Sequence, residues 1–285
     1  MIQGTGPGQD LRLYPEKMES CRRFANKIWN AGRYILLTIP LGTPTAPPEK
    51  VHSELAQWLL HGLNDLIRHS QTGLEAHRLS DVVDSLRSFF WGEFCDWYLE
   101  MDKKPERTDE DNQVLAYSYS TLLKLMHPYV PFVTEALWEQ FKQPKMLAVS
   151  EWPQEQSYSF SESHNRIELL REAISQIRTL REKANIGLDK KIGATLDSEK
   201  NAELFRTHQN LIIRLARLSE LEINEKTPDS SRDNLGAYFN ETLASIEASA
   251  VDWKKEIESL QKKLKTESGF VEKSLKKLKN PGFLD

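Results

Sequence analysis

The stretch CRRFANKIWNAGRY spans residues 21–34, and its apolar residues recur at the spacing of an α-helix. Residues three and four apart share one face of a helix. Stepping through the stretch in this way, and on to residue 35, gives an uninterrupted apolar stripe. This pattern predicts a helix that packs against a core through that face. The members of the apolar stripe are Cys21, Phe24, Ile28, Ala31 and Ile35.

A second stripe on the same stretch consists of cations and amides and contains no carboxylate. Arg and Lys side chains bind phosphates, while Asn and the Arg fork also read base edges. Trp29 and Tyr34 flank this stripe, and both are able to stack on an unpaired base. Geometry alone leaves two interpretations open, a nucleic-acid surface and an ordinary solvated helix face. The members of this basic stripe are Arg23, Asn26, Lys27, Asn30 and Arg33.

The helical period continues through the first half of the chain. Pro131 suits the first turn of a helix, because proline lacks an N–H that would be left unbonded there. An antiparallel helix bundle over residues 1–155 follows from this pattern. The predicted helices cover about residues 16–37, 51–69, 74–101 and 109–126, with a short fifth helix from Pro131.

After Lys142 the pattern changes to alternating strands and helices, which predicts a small α/β domain over residues 156–250. The predicted strands are MLAVSEW (146–152), IGATLD (192–197), LEINE (221–225) and TLASIEA (242–248), and the predicted helices are 165–183 and 199–217.

The last segment, residues 251–285, has apolar residues close to a 4-3 heptad repeat with lysines between them. It is predicted to be a coiled-coil helix whose apolar seam needs a partner. The predicted fold class is therefore mainly α: a helix bundle, a small α/β module and a C-terminal coiled-coil helix.

Charge and composition narrow the possible functions. The formal net charge of -4 over 285 residues argues against general attraction to polyanions, so a nucleic-acid surface has to be a local patch. Cys21 and Cys95 lie in helical segments and are predicted to be reduced core residues of a cytoplasmic protein. We expect no membrane association, because no apolar run approaches the roughly 20 residues that cross a bilayer and the N-terminus does not resemble a secretory signal.

No catalytic or metal-binding constellation is predicted, because the histidines and cysteines lack metal-ligand spacing. His127 is predicted to make a cap or an interhelical hydrogen bond, and the aromatic residues of 89–98 are predicted to be core. A group of cations near a helix-to-strand turn has two open interpretations, a solvated helix end and a contact with an RNA backbone. These cations are Arg178, Arg181, Lys183, Lys190 and Lys191.

Four separated blocks resemble the C-terminal portion of bacterial valyl-tRNA synthetases, which are class I aminoacyl-tRNA synthetases. The blocks are CRRFANKIWNAGRYIL (21–36), SFFWGEFCDWYLE (88–100), LLKLMHPYVPFVTEALW (122–138), and VDWKKEIESLQKKL (251–264) with KLKNPGFLD (277–285). The resemblance implies an anticodon-binding helix bundle over 1–155, a junction domain over 156–250 and the first helix of a coiled-coil arm over 251–285.

The resemblance also implies an activity for the whole enzyme, the ATP-dependent attachment of valine to its tRNA with Mg²⁺. No HIGH-like or KMSKS-like segment occurs here, so we expect this fragment alone to be non-catalytic and to need no cofactor. The expected partner is tRNA for valine, and the full-length enzyme is expected to be monomeric. The alternative is a helical scaffold that binds a protein partner through its C-terminal heptads.

The family's contacts carry over to matching residues of this sequence. Those expected at the anticodon are Arg22, Arg23, Phe24, Asn26, Lys27 and Asn30, to which we add Arg33. Phe24 is ambiguous, because helical stepping also puts it on the core face. Those expected at the tRNA backbone, at the outer corner of the molecule, are Lys254, Lys255, Lys262, Lys263 and Lys265.

Overall fold

The computed structural model describes residues 14–228, 235–246, 257, 261–262, 264–271 and 274. Contacts between Cα atoms divide the chain into two units, Met1–Ile167 and Glu168–Asp285. The described residues are mostly helical, with one small mixed sheet. The domain boundaries expected at residues 155 and 250 stay predictions.

Helices build the first unit, as the apolar periodicity predicts. In chain order they are α1 (Pro15–Thr38), α2 (Glu54–Glu75), α3 (Leu79–Ser88), a π-helix (Phe89–Tyr98), α4 (Leu99–Met101), α5 (Asp109–Met126), α6 (Pro131–Gln140), a 3-10 turn (Leu147–Val149) and the start of α7 (Ser161–Lys183).

Local capping explains where several of these helices begin. Pro15 and Pro131 occupy the first turns of α1 and α6. Thr108 and Asp111 form a reciprocal capping box at the start of α5, which satisfies two backbone donors that the helix leaves unbonded. The single helix predicted over 74–101 is wrong, because α2 ends at Glu75 and His77 takes a left-handed conformation with φ of 57°.

The strand predicted at 146–152 is also wrong. The backbone N–H groups of Leu147 and Ala148 donate to the Glu135 carboxylate, at 2.8 and 3.2 Å. The indole N–H of Trp138 donates to the carbonyl of Lys145 at 2.9 Å. Side chains of α6 therefore take the bonds that a neighbouring strand would otherwise make, and the segment forms a 3-10 turn.

The aromatic block lies in the core of the first unit, as expected. Phe90, Phe94 and Tyr98 are fully buried along the π-helix. Phe94 stacks on Tyr98 and on Tyr119 of α5, with ring centroids 6.0 Å apart in both pairs. These rings join the π-helix to α5.

The second unit contains most of α7 and a four-stranded sheet. Its strands are β1 (Ile192–Asp197), β2 (Leu218–Asn224), β3 (Leu235–Phe239) and β4 (Thr242–Ile246), and they lie in the order β2-β1-β4-β3. β1 pairs parallel with β2 and antiparallel with β4, which pairs antiparallel with β3. The helix predicted over 199–217 is in fact two, with His208 between them. These two helices are α8 (Ala202–Thr207) and α9 (Gln209–Ala216).

The predicted coiled-coil helix stays a prediction. The described residues of this region, among them 261–262 and 264–271, are helical and mostly exposed. Lys262 and Lys265 are among the exposed ones, whereas Lys254, Lys255 and Lys263 lie outside the described residues. Within the described part of the chain, no helix is both long and apolar enough to cross a bilayer.

Gly32 allows α1 to pack closely against α5 and α6, which leads to a stability prediction. A Cβ atom there would lie 2.5 Å from Leu137 Cδ2 and 2.6 Å from the Tyr119 hydroxyl. We expect Gly32→Ala to lower the free energy of unfolding by about 1–3 kcal/mol, because overpacking forces neighbouring side chains to move. Urea denaturation followed by circular dichroism measures this change.

Gly92→Ala is the matched control for that substitution. A Cβ atom at Gly92 meets no atom within 4 Å, so this variant should be about 0.4–1 kcal/mol more stable than the parent protein. Equal stability of the two variants would contradict the close packing of α1.

Glu110 joins the start of α5 to the start of α2. Its carboxylate accepts the backbone N–H groups of His52 and Ser53, at 2.9 and 3.0 Å, and lies 2.8 Å from Nδ1 of the His52 ring. Burial by itself would raise the pKa of Glu110, but the hydrogen bonds from Ser53 and His52 hold this pKa below its usual value. The ionised carboxylate therefore stabilises the fold above the unfolded-state pKa, and this stability is lost as the pH falls through the folded-state pKa.

We expect Glu110→Gln to lower the free energy of unfolding at pH 7 by about 1–3 kcal/mol. The difference from the parent protein should shrink below about pH 4.3, where the carboxyl group of the unfolded chain becomes protonated. Denaturation curves between pH 3 and 7 test this expectation, with the exposed Glu106→Gln as control. If the difference in the free energy of unfolding between Glu110→Gln and the parent protein were constant from pH 3 to 7, the charge of Glu110 would not be the cause of the destabilisation.

Candidate nucleic-acid interface

The apolar stripe fixes α1 to the rest of the first unit. Ile28, Ala31 and Ile35 are buried, while Cys21 and Phe24 are half-buried nearer the start of the helix. The hydroxyl of Tyr119 donates to the carbonyl of Ile28 at 2.8 Å. One face of α1 is therefore held in place, and the residues on the opposite face necessarily meet solvent.

Five of the cations and amides expected at the anticodon lie on that opposite face. Arg22, Arg23, Asn26, Asn30 and Arg33 are all exposed. At about 100° per residue these five side chains fall within an arc of roughly 100°. They therefore form one continuous surface of donors along about three turns of the helix.

Three apolar side chains accompany this surface. Trp29 and Tyr34 are partly exposed and lie at its two edges, each about 20° beyond the outermost polar residue. Leu37 is 84% exposed and continues the middle of the surface one turn beyond Arg33. Sequence reasoning missed Leu37, although helical stepping from Asn30 would have found it.

The arginines at the start of α1 are only weakly neutralised. Glu19 lies 3.7 Å from Arg22 and 3.9 Å from Arg23, and the two arginine side chains are 76% and 66% exposed. Ion pairs with such exposure contribute little, about 0–1 kcal/mol. A phosphate group is able to replace Glu19 as their partner at small cost.

Lys27 differs from the other members of the basic stripe. Its Nζ lies 3.1 Å from a carboxylate oxygen of Asp96 and 5.3 Å from the ring centroid of Trp91. Its side chain is 33% exposed. The sequence pattern suggested a stripe without carboxylates, but the π-helix brings Asp96 to the edge of it.

Phe24 packs against the π-helix and α3. Its ring meets Phe90 edge-on with centroids 5.7 Å apart and stacks on Trp91 at 6.5 Å. The guanidinium of Arg87 lies 5.7 Å from the ring centroid of Phe24, and Arg87 also donates to the Ser20 hydroxyl at 2.8 Å. Phe24 thus belongs to a half-buried aromatic cluster beside the basic stripe. No pattern in the sequence indicates that Arg87 and Trp91 lie at this place.

The other candidate groups have structural partners. His127 Nδ1 lies 2.8 Å from the Thr134 hydroxyl, which confirms the expected interhelical hydrogen bond. The guanidinium of Arg178 donates to the carbonyl of Leu215, and that of Arg181 donates to three backbone carbonyls. Among the residues that the structure describes, no group of three or more His, Cys, Asp or Glu side chains is arranged to hold a metal ion.

Comparison with known proteins gives matches over the whole chain. Residues 56–196 match the family of the anticodon-binding domain of tRNA ligase. A valine–tRNA ligase from Carboxydothermus hydrogenoformans is 32% identical over 294 residues, which cover 100% of this chain and 33% of that protein. The Bacillus subtilis valine–tRNA ligase is 29% identical over 296 residues, which cover 100% of this chain and 34% of that protein.

These matches have two features that bear on the interface. The chain spans about a third of the length of the curated relatives. The family match begins within α2, whereas the alignments with the two ligases cover all of this chain and so include α1. The chain is therefore a homologue of part of the valine–tRNA ligases, and its residues 56–196 match the anticodon-binding domain family of tRNA ligases.

Proposed function

We propose that this chain is the tRNA-binding portion of a valine–tRNA ligase and recognises the anticodon stem-loop and the outer corner of tRNA for valine. The observation that carries the proposal is the exposed face of α1. Arginines and asparagines lie together there, and the opposite face of the helix packs against the core. The ligase activity, with ATP and Mg²⁺, belongs to the whole enzyme, and this chain contributes binding without chemistry. We also propose that the enzyme works in the cytoplasm as a monomer.

The residue types on this face divide into two roles. Arg22 and Arg23, at the start of α1, carry charge that is suited to phosphates of the stem. Asn26, Asn30 and Arg33 lie on successive turns, and their planar groups are able to make two parallel hydrogen bonds to a base edge. Because α1 is packed through Ile28 and Ile35, the backbone that carries these side chains is held in place before RNA binds, which lowers the entropic cost of recognition.

Phe24 and Lys27 take part at the edge of this surface. Trp91, which stacks on Phe24, is only half-buried, so the aromatic cluster offers a face on which an unpaired base could stack. The Lys27 side chain is one-third exposed at the edge of this surface, so its ammonium group is able to bind a phosphate. The Asp96 carboxylate competes with that phosphate for the ammonium group. We therefore assign Lys27 a weaker contribution to binding than Arg33.

The lysines of the last segment would bind phosphates at the outer corner of the tRNA. Lys262 and Lys265 are helical and exposed, which supports this role. For Lys254, Lys255 and Lys263 the proposal rests on the family resemblance. Contacts of this kind position the RNA and carry no sequence information.

One observation favours the alternative function, a scaffold for a protein partner. Leu264, Phe270 and Val271 are large apolar residues of the last segment, and all are exposed. Exposed apolar residues along a helix are typical of a coiled-coil seam. Gel filtration distinguishes the two functions, because a stable dimer that binds no RNA and is lost on deletion of residues 251–285 would support the scaffold.

The first functional prediction concerns the middle of the α1 surface. We expect Arg33→Gln to weaken binding of valine tRNA about tenfold and to reduce the preference for the native anticodon, since a lost base contact costs about 1–3 kcal/mol. Filter binding with native and anticodon-swapped transcripts, each at two salt concentrations, measures both effects.

Arg68→Gln on α2 is the matched control, because it removes the same charge from an exposed arginine away from α1. It should leave binding unchanged within about twofold. An equal loss of tRNA affinity in both variants would mean that binding depends only on the total positive charge and not on the position of Arg33. No binding of either transcript at low salt would overturn the proposed function.

The second functional prediction uses the ion pair between Lys27 and Asp96. We expect Asp96→Asn to strengthen tRNA binding about two- to fivefold at low salt, because it frees Lys27 and removes a negative charge from the interface. Asp65→Asn, at an exposed position on α2, is the control. If Asp96→Asn had no effect or weakened binding, Lys27 would have no role in contacting RNA.

A further inference from the structure

A cavity of about 650 Å³ lies in the second unit, between the C-terminal end of α7 and the turn that follows α9. Three arginines line it, Arg178 and Arg181 from α7 and Arg217 from the turn, together with one carboxylate, Glu182. This cavity is separate in sequence from the basic stripe on α1, and nothing in the proposed function uses it.

Arg181 is a buried cation whose hydrogen bonds go to backbone carbonyls. Only 3% of the surface of Arg181 is exposed to solvent. Its guanidinium donates to the carbonyls of Arg217, Gly187 and Lys190, at 2.8, 2.9 and 2.6 Å, and its Nε is buried without any hydrogen-bond partner. Within the described part of the chain, no carboxylate forms an ion pair with it.

The electrostatics around Arg181 favour an additional negative charge. Burying a cation without an anion is costly. Burial, and then the neighbouring guanidinium of Arg217, lower the pKa of Arg181 below its usual value, with only Asp189 acting in the opposite direction. An anion in the cavity would compensate both effects.

Arg178 and Arg217 are oriented by backbone carbonyls. Nε and Nη2 of Arg178 donate to the carbonyl of Leu215 at 3.1 and 2.9 Å, and Nη1 of Arg217 donates to that of Leu188 at 3.1 Å. The carbonyls at the ends of α7 and α9 would repel an anion, but that of Leu215 already accepts from Arg178, and those of Arg181 and Glu182 accept backbone N–H groups. Arg217 is exposed and keeps most of the five N–H donors of a guanidinium.

The residues around the cavity carry an excess of positive charge in an acidic protein. Residues 178–191 and 214–217 contain seven cations and two carboxylates, whereas the whole chain has a formal net charge of -4. A concave site lined by one sign of charge focuses the field and attracts the opposite charge. The cations are Arg178, Arg181, Lys183, Lys190, Lys191, Arg214 and Arg217, and the carboxylates are Glu182 and Asp189.

We propose that this cavity binds a phosphate group, with Arg178 and Arg217 as its donors and Arg181 as a buried counter-charge. The phosphate belongs either to the backbone of a bound RNA or to a free small molecule. The RNA source rests on the proposed function, while the small-molecule source does not.

The first experiment titrates the full chain with inorganic phosphate, against sodium chloride at equal ionic strength. The Nε–H signals of the arginines are followed by ¹⁵N NMR. We expect saturable shifts for Arg178 and Arg217 in the parent protein, and the shift of Arg178 should disappear in Arg217→Asn. Asn tolerates the left-handed conformation at this position, where φ is 55°. The shifts should persist in Arg206→Gln, which removes an exposed arginine on α8 that pairs with Glu225 at 3.1 Å.

The second experiment measures binding of valine tRNA by the same variants as a function of salt. If the phosphate belongs to RNA, Arg217→Asn should reduce the slope of log K against log salt by about 0.9, whatever the anticodon, and Arg206→Gln should not. Phosphate-dependent shifts with unchanged RNA binding would identify a site for small phosphate-bearing molecules. If phosphate causes no shift and RNA binding is unaffected, the proposal is wrong. If the chain binds no tRNA at all, the proposed function fails, and the phosphate titration still decides whether the site exists.

Discussion

The close packing of α1 against α5 and α6 is the constraint on which the candidate interface depends. Gly32 leaves no room for a side chain beside Leu137 and Tyr119, and Tyr119 donates to a carbonyl of the same helix. With that face committed to the core, the rotation of α1 about its axis is fixed. The arginines and asparagines on the other face therefore point to solvent, and no rearrangement of the helix is needed to present them to RNA.

The net charge of this protein is slightly negative, so attraction of a phosphate depends on local groups of cations. Lys27 and Arg33 belong to the same stripe, yet the first is paired with Asp96 while the second is exposed. The Lys27 and Asp96 side chains are 33% and 50% exposed, so water weakens their attraction, but the carboxylate still offsets the charge of Lys27. Two cations that a sequence pattern treats as equivalent thus differ in how readily they can bind a phosphate.

Local signals in the sequence predict much of this fold. The helix expected over 109–126 coincides with α5, since Thr108 and Asp111 form a capping box at its start. The strand expected over 192–197 coincides with β1. One error has a cause outside the segment, because the Glu135 side chain holds 147–149 in a 3-10 turn. The break at His77 and the hairpin that joins β3 to β4 are local features that apolar periodicity does not show. The ion pair of Lys27 joins residues 69 apart in the chain, and no periodicity within α1 could reveal it.

The arginines of α1 and α7 show why composition alone cannot locate a binding surface. On α1, Arg22 and Arg23 have only weak ion pairs with Glu19, so their donors are available to a ligand. On α7, the donors of Arg181 are largely taken by backbone carbonyls. That side chain can no longer form a flexible contact with RNA, but its charge remains and adds to the potential in the cavity. A satisfied arginine is therefore able to act on a ligand only through its electrostatic field, whereas an exposed one also offers hydrogen-bond donors, and the fold determines which of the two each arginine can do.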